Sequence, residues 1–227
     1  AVALLCAAIV GLASLAAAWI SDDGMVTLRT VENLVAGDGF TWNIAERTQT
    51  ATHPLWILVL SAARLVTGEL FLTTIAISLL CTTLAAWLIA RNARSTVTAL
   101  VMVPFAMLMS RTAIQYATGG LENPLVYLLI AWFAVVWFDS PRATATAPKE
   151  RQRRLSTLAI LATLLVLARI DLVLLLAPCL LVALKGLGPG RIALGLLPGA
   201  ALFTAWCLFA TIYFGTIIPT PGYAKAL

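Results

Sequence analysis

Apolar runs at about 1–20, 54–67, 70–90, 96–110, 123–138, 155–167, 172–184 and 192–214 alternate with short polar stretches along the chain. Twenty helical residues rise ~30 Å, enough to cross the hydrocarbon core of a bilayer. The run 54–67, PLWILVLSAARLVT, carries Arg64. As a helix it reaches only ~21 Å and reads as an amphipathic juxtamembrane helix lying on the surface. Residues 155–167 and 172–184 flank ARID at 168–171. One continuous helix there would bury Arg169 and Asp171 at mid-membrane depth. A hairpin with its tip below the outer surface, facing protein or a wet cavity, avoids that cost. The pattern predicts an all-α polytopic membrane protein with about seven spans.

Composition agrees. Hydrophobic residues make up 61% and charged residues 11%, against about 25% charged in a soluble domain. Mean hydropathy is +0.97. Residues 1–20 read as a span and not a cleaved leader, although LAAAW offers small residues, because twenty apolar residues suffice to cross and several further apolar runs follow. Cys6, Cys81, Cys179 and Cys207 lie inside apolar runs at no ligand spacing, as small buried hydrophobes do.

The net charge of +5 has to be read loop by loop, and it is no nucleic-acid signal. With the N-terminus cytoplasmic and 54–67 on the surface, the inside segments are 91–95, 139–154 and 185–191. They hold Arg91, Arg94, Arg142, Lys149, Arg151, Arg153, Arg154, Lys185 and Arg191, most of the basic residues in the shorter total length. That is the positive-inside pattern, and letting 54–67 span destroys it. Segment 139–154 then reads as a solvated, basic cytoplasmic loop. The external segments are 21–69, 111–122, 168–171 and 215–227. They carry eight of the ten acids: Asp22, Asp23, Glu32, Asp38, Glu46, Glu69, Glu122 and Asp171.

The candidate chemistry lies on that external face. Asp22 and Asp23 follow the first span directly. After them Met25, Leu28, Val31, Leu34 and Val35 recur at helical spacing. Ser21 or Asp22 can cap this helix and Gly37 can end it. A cap needs one carboxylate, so the pair asks for a second explanation. GDGFTWNIAERTQTATHP then gathers Trp42, Asn43, Glu46, Arg47 and the only histidine, His53. It is polar and aromatic together, as sugar-contacting loops are. RTAIQYATGGLENP brings Gly119, Gly120 and Glu122, ARID brings Arg169 and Asp171, and the tail IIPTPGYAKAL brings Tyr223 and Lys225. No predicted span carries an ionisable residue in its interior, against a proton-coupled pump or ion channel. Carboxylates beside cations at a membrane rim suit group transfer from a lipid phosphate. A carboxylate takes the acceptor's hydroxyl proton, and Arg or Lys stabilises the departing phosphate. A transporter, flippase or non-catalytic scaffold is the alternative reading.

These elements resemble the GT-C superfamily of polyprenyl-phosphate-sugar glycosyltransferases. They are most similar to the terminal β-(1→2)-arabinofuranosyltransferases of mycobacteria and their relatives. DDGMVTLRTVENLVAGDGFTWNIAERTQTATHPLW, ATGGLENPL, ARID and PTPGYAK carry the resemblance in order. Gly24 in place of an Ala, His53 before the proline and Thr220-Pro221 in place of Asn-Thr depart from the pattern. The resemblance implies a GT-C-like transmembrane domain over 1–227, with further spans and a periplasmic domain beyond it. It implies catalysis by Asp22 and Asp23 at the external face of the bacterial plasma membrane. Arg169 and Lys225 would hold the donor phosphate, while Tyr223, Glu122, Asp171 and His53 would line the pocket. The donor would be decaprenyl-phospho-arabinofuranose and the acceptor the arabinan of arabinogalactan or lipoarabinomannan. Another polyprenyl-phosphate sugar is the alternative donor. A β donor and a β product mean net retention, whereas one base assisting direct displacement inverts. A second carboxylate acting as nucleophile reconciles the two, with Asp22, Asp23, Glu122 and Asp171 as candidates. A divalent cation bridging Asp23 and the phosphate is compatible with these residues and not required by them.

Overall fold

The computed structural model describes residues 1–49, 52–93, 95–138 and 147–219. The described residues form α1 (Val2–Ala16), α2 (Asp22–Ala36), α3 (Pro54–Thr67), α4 (Phe71–Asn92) and α5 (Thr96–Met109). These are followed by α6 (Arg111–Gln115), α7 (Asn123–Phe138), α8 (Pro148–Ala168), α9 (Val173–Leu184) and α10 (Pro189–Phe214). The chain is all-helical among these residues. By length and apolarity, α4 and α10 qualify to cross a membrane; α1, α5, α7 and α9 are apolar but shorter.

α2 forms where its apolar spacing predicts. Ser21 is its cap: the hydroxyl accepts from the Gly24 N–H at 3.0 Å. Both aspartates lie in the first turn, where the helix dipole favours negative charge. Gly37, at φ 89°, turns the chain out of the helix, and the Asp38 N–H closes on the Asn33 carbonyl at 2.9 Å. α3 begins on Pro54 and is amphipathic. Trp56, Ile57 and Leu60 are fully buried, while Leu58, Leu65 and Val66 are exposed. An Arg64–Glu32 bond of 2.8 Å fixes α3 against α2. Glu69 caps α4 by accepting from the N–H groups of Phe71, Leu72 and Thr73 at 2.7, 2.9 and 3.1 Å.

The main core joins α2, α3, α7 and α8 through Val31, Trp56, Leu60, Leu129, Leu158 and Leu165. A smaller cluster of Cys6, Val10, Ala86, Ala90, Ala99 and Val103 joins α1, α4 and α5. α10 packs along α8 because glycine allows it: a Cβ on Gly199 would sit 2.6 Å from the Ala159 carbonyl oxygen. α8 ends at Ala168, Arg169 is extended, and Ile170–Leu172 turns the chain into α9, which packs back on α8. The four cysteines are free, with Cys6 and Cys81 buried.

One expectation changes. Residues 148–154 are not loop but the first two turns of α8; 139–146 lie outside the described residues. Proline is well placed at a helix start, and the arginines there have work in the fold. Arg154 donates to the Val136 carbonyl at 3.1 Å and to Trp137 O at the end of α7. Arg151 donates to Lys185 O and Gly186 O after α9. Guanidinium groups on the exposed carbonyls of helix C-termini satisfy acceptors that the helices leave unpaired.

Candidate functional site

The junction between α1 and α2 is tied to the loop 115–122 ahead of α7. Ser21 gives both its N–H (3.1 Å) and its hydroxyl (2.8 Å) to the Gly119 carbonyl. The Trp19 indole N–H reaches Gln115 O at 2.8 Å, and its backbone N–H reaches the Thr118 hydroxyl at 3.2 Å. From the other side the buried Trp56 indole donates to Gly120 O at 2.9 Å. Gly24 lies so close that a Cβ would fall 2.4 Å from Gly119 O. The DDG and TGGLE segments, about a hundred residues apart, therefore meet backbone to backbone.

A polar chain continues from this junction. The Thr27 hydroxyl lies 2.9 Å from His53 Nε2, and His53 Nδ1 lies 3.2 Å from Glu122 Oε2. Arg169 Nη1 faces Glu122 Oε1 at 3.7 Å, while its Nε and Nη2 donate to Asp171 at 3.1 and 3.3 Å. His53 and Glu122 are each 7% exposed. Burial is the largest influence on His53 and lowers its pKa from 6.5; Glu122 opposes this and Arg169 adds to it.

The acids that the sequence pattern assigned to the external face now separate by occupation. Glu69 caps α4 and Glu32 holds Arg64. Glu122 and Asp171 are engaged by His53 and Arg169. Asp22, Asp23, Asp38 and Glu46 are exposed, and their carboxylates have no hydrogen-bond or ion-pair partner among the described residues; of these four, Asp22 and Asp23 flank the Ser21 and Gly24 contacts with the Gly119–Gly120 loop. Among those residues, no three His, Cys, Asp or Glu come together as a metal-ligand set. A cleft of about 480 Å³ runs beside α2, lined by Met25, Arg29, Glu32, Arg64 and Phe71. Arg29 rests over the Trp42 ring and Arg47 over Tyr213. Tyr223 and Lys225 lie outside the described residues.

The structure thus brings Asp22, Asp23, His53, Glu122, Arg169 and Asp171 into one region. It adds Ser21, Gly24, Thr27 and Trp56, which hold that region together. Thr27 stands four residues after Asp23, and that spacing was the available sequence signal for it.

A helical, apolar protein with a cluster of carboxylates and one arginine joined across four segments defines a membrane-associated protein with a polar candidate active site. The comparisons are narrower. The chain is 31% identical over 221 residues to the terminal β-(1→2)-arabinofuranosyltransferase of Mycobacterium tuberculosis, covering 91% of this chain and 35% of that protein. It is 31% identical to the protein of the same name from Corynebacterium glutamicum, covering 92% of this chain and 33% of that one. The resemblance read from the motifs is borne out across nearly the whole chain, and both relatives are named as glycosyltransferase enzymes. The chain spans about a third of the length of these curated relatives. No family model matches, and no solved structure matches.

Proposed function

We propose that the protein is the membrane part of an arabinofuranosyltransferase. It transfers an arabinofuranosyl residue from decaprenyl-phospho-arabinofuranose to cell-wall arabinan at the external face of a bacterial plasma membrane. The observation that carries this reading is the state of the acids. Of the carboxylates gathered here, Asp22 and Asp23 alone are exposed and have no side-chain partner among the described residues.

Asp22 is the base or nucleophile and Asp23 supports it. In direct displacement the carboxylate takes the acceptor's hydroxyl proton while that oxygen bonds to the sugar C1. The C1–O bond to phosphate breaks, and its electron pair leaves on the polyprenyl phosphate. In the two-step route, which retains configuration, one aspartate bonds to C1 and expels the phosphate. The other then takes the proton of the acceptor that displaces it. Arg169, 41% exposed at its side chain and oriented by Asp171, presents positive charge to the leaving phosphate. Lys225 and Tyr223 supply further donor contacts from the tail, while Glu122, Asp171 and His53 form the wall behind. Asp22 and Asp23 offer adjacent oxygen ligands to a divalent cation, if one joins the donor phosphate there.

The test is sugar transfer from synthetic polyprenyl-phospho-arabinofuranose to an arabinose oligomer, with the full chain in nanodiscs. Asp22→Asn is expected to lower turnover by roughly a hundredfold or more, the scale of one acid–base group, without loss of folding. Unchanged turnover would return the pair to its role at the helix N-terminus. No transfer from any of several lipid-linked sugars would favour a transporter or scaffold.

A further inference from the structure

Burying an ionisable pair is costly unless its bonds are complete. His53 and Glu122 are both buried, yet the junction they stand beside is closed without them. Ser21, Trp19 and Trp56 already bond the Gln115–Gly120 loop. The pair therefore invites a role beyond holding the loop.

Counting protons shows what that role is. A carboxylate only accepts, so in the neutral ring the proton sits on Nδ1, toward Glu122. Nε2 is then an acceptor and takes the single proton of the Thr27 hydroxyl at 2.9 Å. The same hydroxyl lies 3.3 Å from the Asp23 carbonyl oxygen and cannot serve both. When the ring is charged, Nε2–H points at Thr27, and the hydroxyl proton turns to Asp23 O. The protonation state of His53 is thus carried to the peptide that bears the aspartates.

We propose that His53 is a positioning residue. In its neutral form, fixed by Glu122, it draws the Thr27 hydroxyl off the Asp23 carbonyl and sets the first turn of α2 for transfer; protonation reverses the bond and closes the site. This rests on the functional reading above. Glu122 and Arg169 are the charged groups that act on the ring. Asp171 and Tyr127 act on Arg169 in turn, and Tyr127 also interacts with Glu122. α2 presents the Thr27 hydroxyl. Because burial lowers the ring's pKa, the neutral form persists at pH 7, and the switch works below 6.5.

Two measurements test it. His53 is the only histidine, so its ring nitrogens give one pair of ¹⁵N resonances. In nanodiscs at pH 7 these are expected to show a neutral ring protonated on Nδ1. Kinetics of Thr27→Val, Thr27→Ser and His53→Gln follow. Thr27→Val, whose side chain cannot bond the Asp23 carbonyl at any pH, is expected to stay within a few-fold of the parent's kcat at pH 7 and to lose the fall in kcat expected of the parent below pH 6.5. Thr27→Ser should restore that fall. Should Thr27→Val unfold, His53→Gln, which lacks the titration, must lose the same acid limb. A ring protonated on Nε2 or charged at pH 7 overturns the proposal, as does a Thr27→Val variant that keeps the parent's fall in kcat at low pH. Absence of transfer in the parent overturns the functional reading instead, and the resonance tells the two failures apart.

Discussion

At the scale of single residues the site is organised by which polar groups are already occupied. A carboxylate that accepts backbone N–H bonds or pairs with arginine, as Glu69 and Asp171 do, has fewer lone pairs left for a substrate. Asp22 and Asp23 keep theirs. Gly24 is the sharpest constraint, because its missing Cβ would meet backbone: Gly119 O at 2.4 Å and the Gly120 Cα at 3.2 Å. Alanine is the better helix former by up to about 1 kcal/mol, but backbone overlap of this kind costs roughly 1–3 kcal/mol. Gly24→Ala is therefore expected to lower stability in chemical denaturation and to reduce transfer. A more stable variant would show that the 118–122 loop yields. Sequence singled out Gly24 as a departure from the family pattern, and the contact with Gly119 gives the departure a physical cause in this chain.

At the scale of elements, helix ends and small residues set the geometry. α8 carries arginines to the C-termini of α7 and α9, and glycine in α10 lets that helix lie on α8. The Thr163 hydroxyl donates to Gly199 O at 3.1 Å, across that contact. Gly199→Ile is expected to separate α8 from α10 and destabilise by roughly 1–3 kcal/mol. Gly190→Ala, with nothing within 4 Å of the added Cβ, is the control expected to be neutral or slightly stabilising. Equal effects of the two, read in the same denaturation series, would refute packing as the cause. The helices themselves were legible. The apolar runs, the cap at Ser21, Pro54 at a helix start and the break at ARID all follow local rules. The extension of α8 back to Pro148 was not, since a run of basic residues reads as solvated until the carbonyls it caps are in place.

At the scale of the whole molecule, the charge asymmetry predicts which face meets which compartment. Asp38 and Lys149 are both exposed, and the seven-span arrangement expected from the sequence puts them on opposite sides. Asp38→Cys should react with a membrane-impermeant maleimide on intact cells, and Lys149→Cys only after permeabilisation. The reverse pattern, or labelling of both, would end that arrangement and move the site away from the outer face.

The sequence by itself determined the helical class, the apolar runs, the helix boundaries around the acidic pair and the segments that hold candidate chemistry. These depend on neighbours within a few turns, and periodicity, caps and charge report on such neighbours directly. Tertiary structure alone decided the partners. Local pattern could not say that His53 bonds Thr27 and Glu122, that Arg169 is shared by two carboxylates, or that Gly24 touches Gly119. Each of those contacts joins segments whose spacing is set by how whole helices pack, and side-chain exposure follows only from that packing. For that reason the acids looked equivalent along the chain, and only the fold set Asp22 and Asp23, exposed and unpaired, against the loop that carries Glu122 while it occupied Glu122 and Asp171.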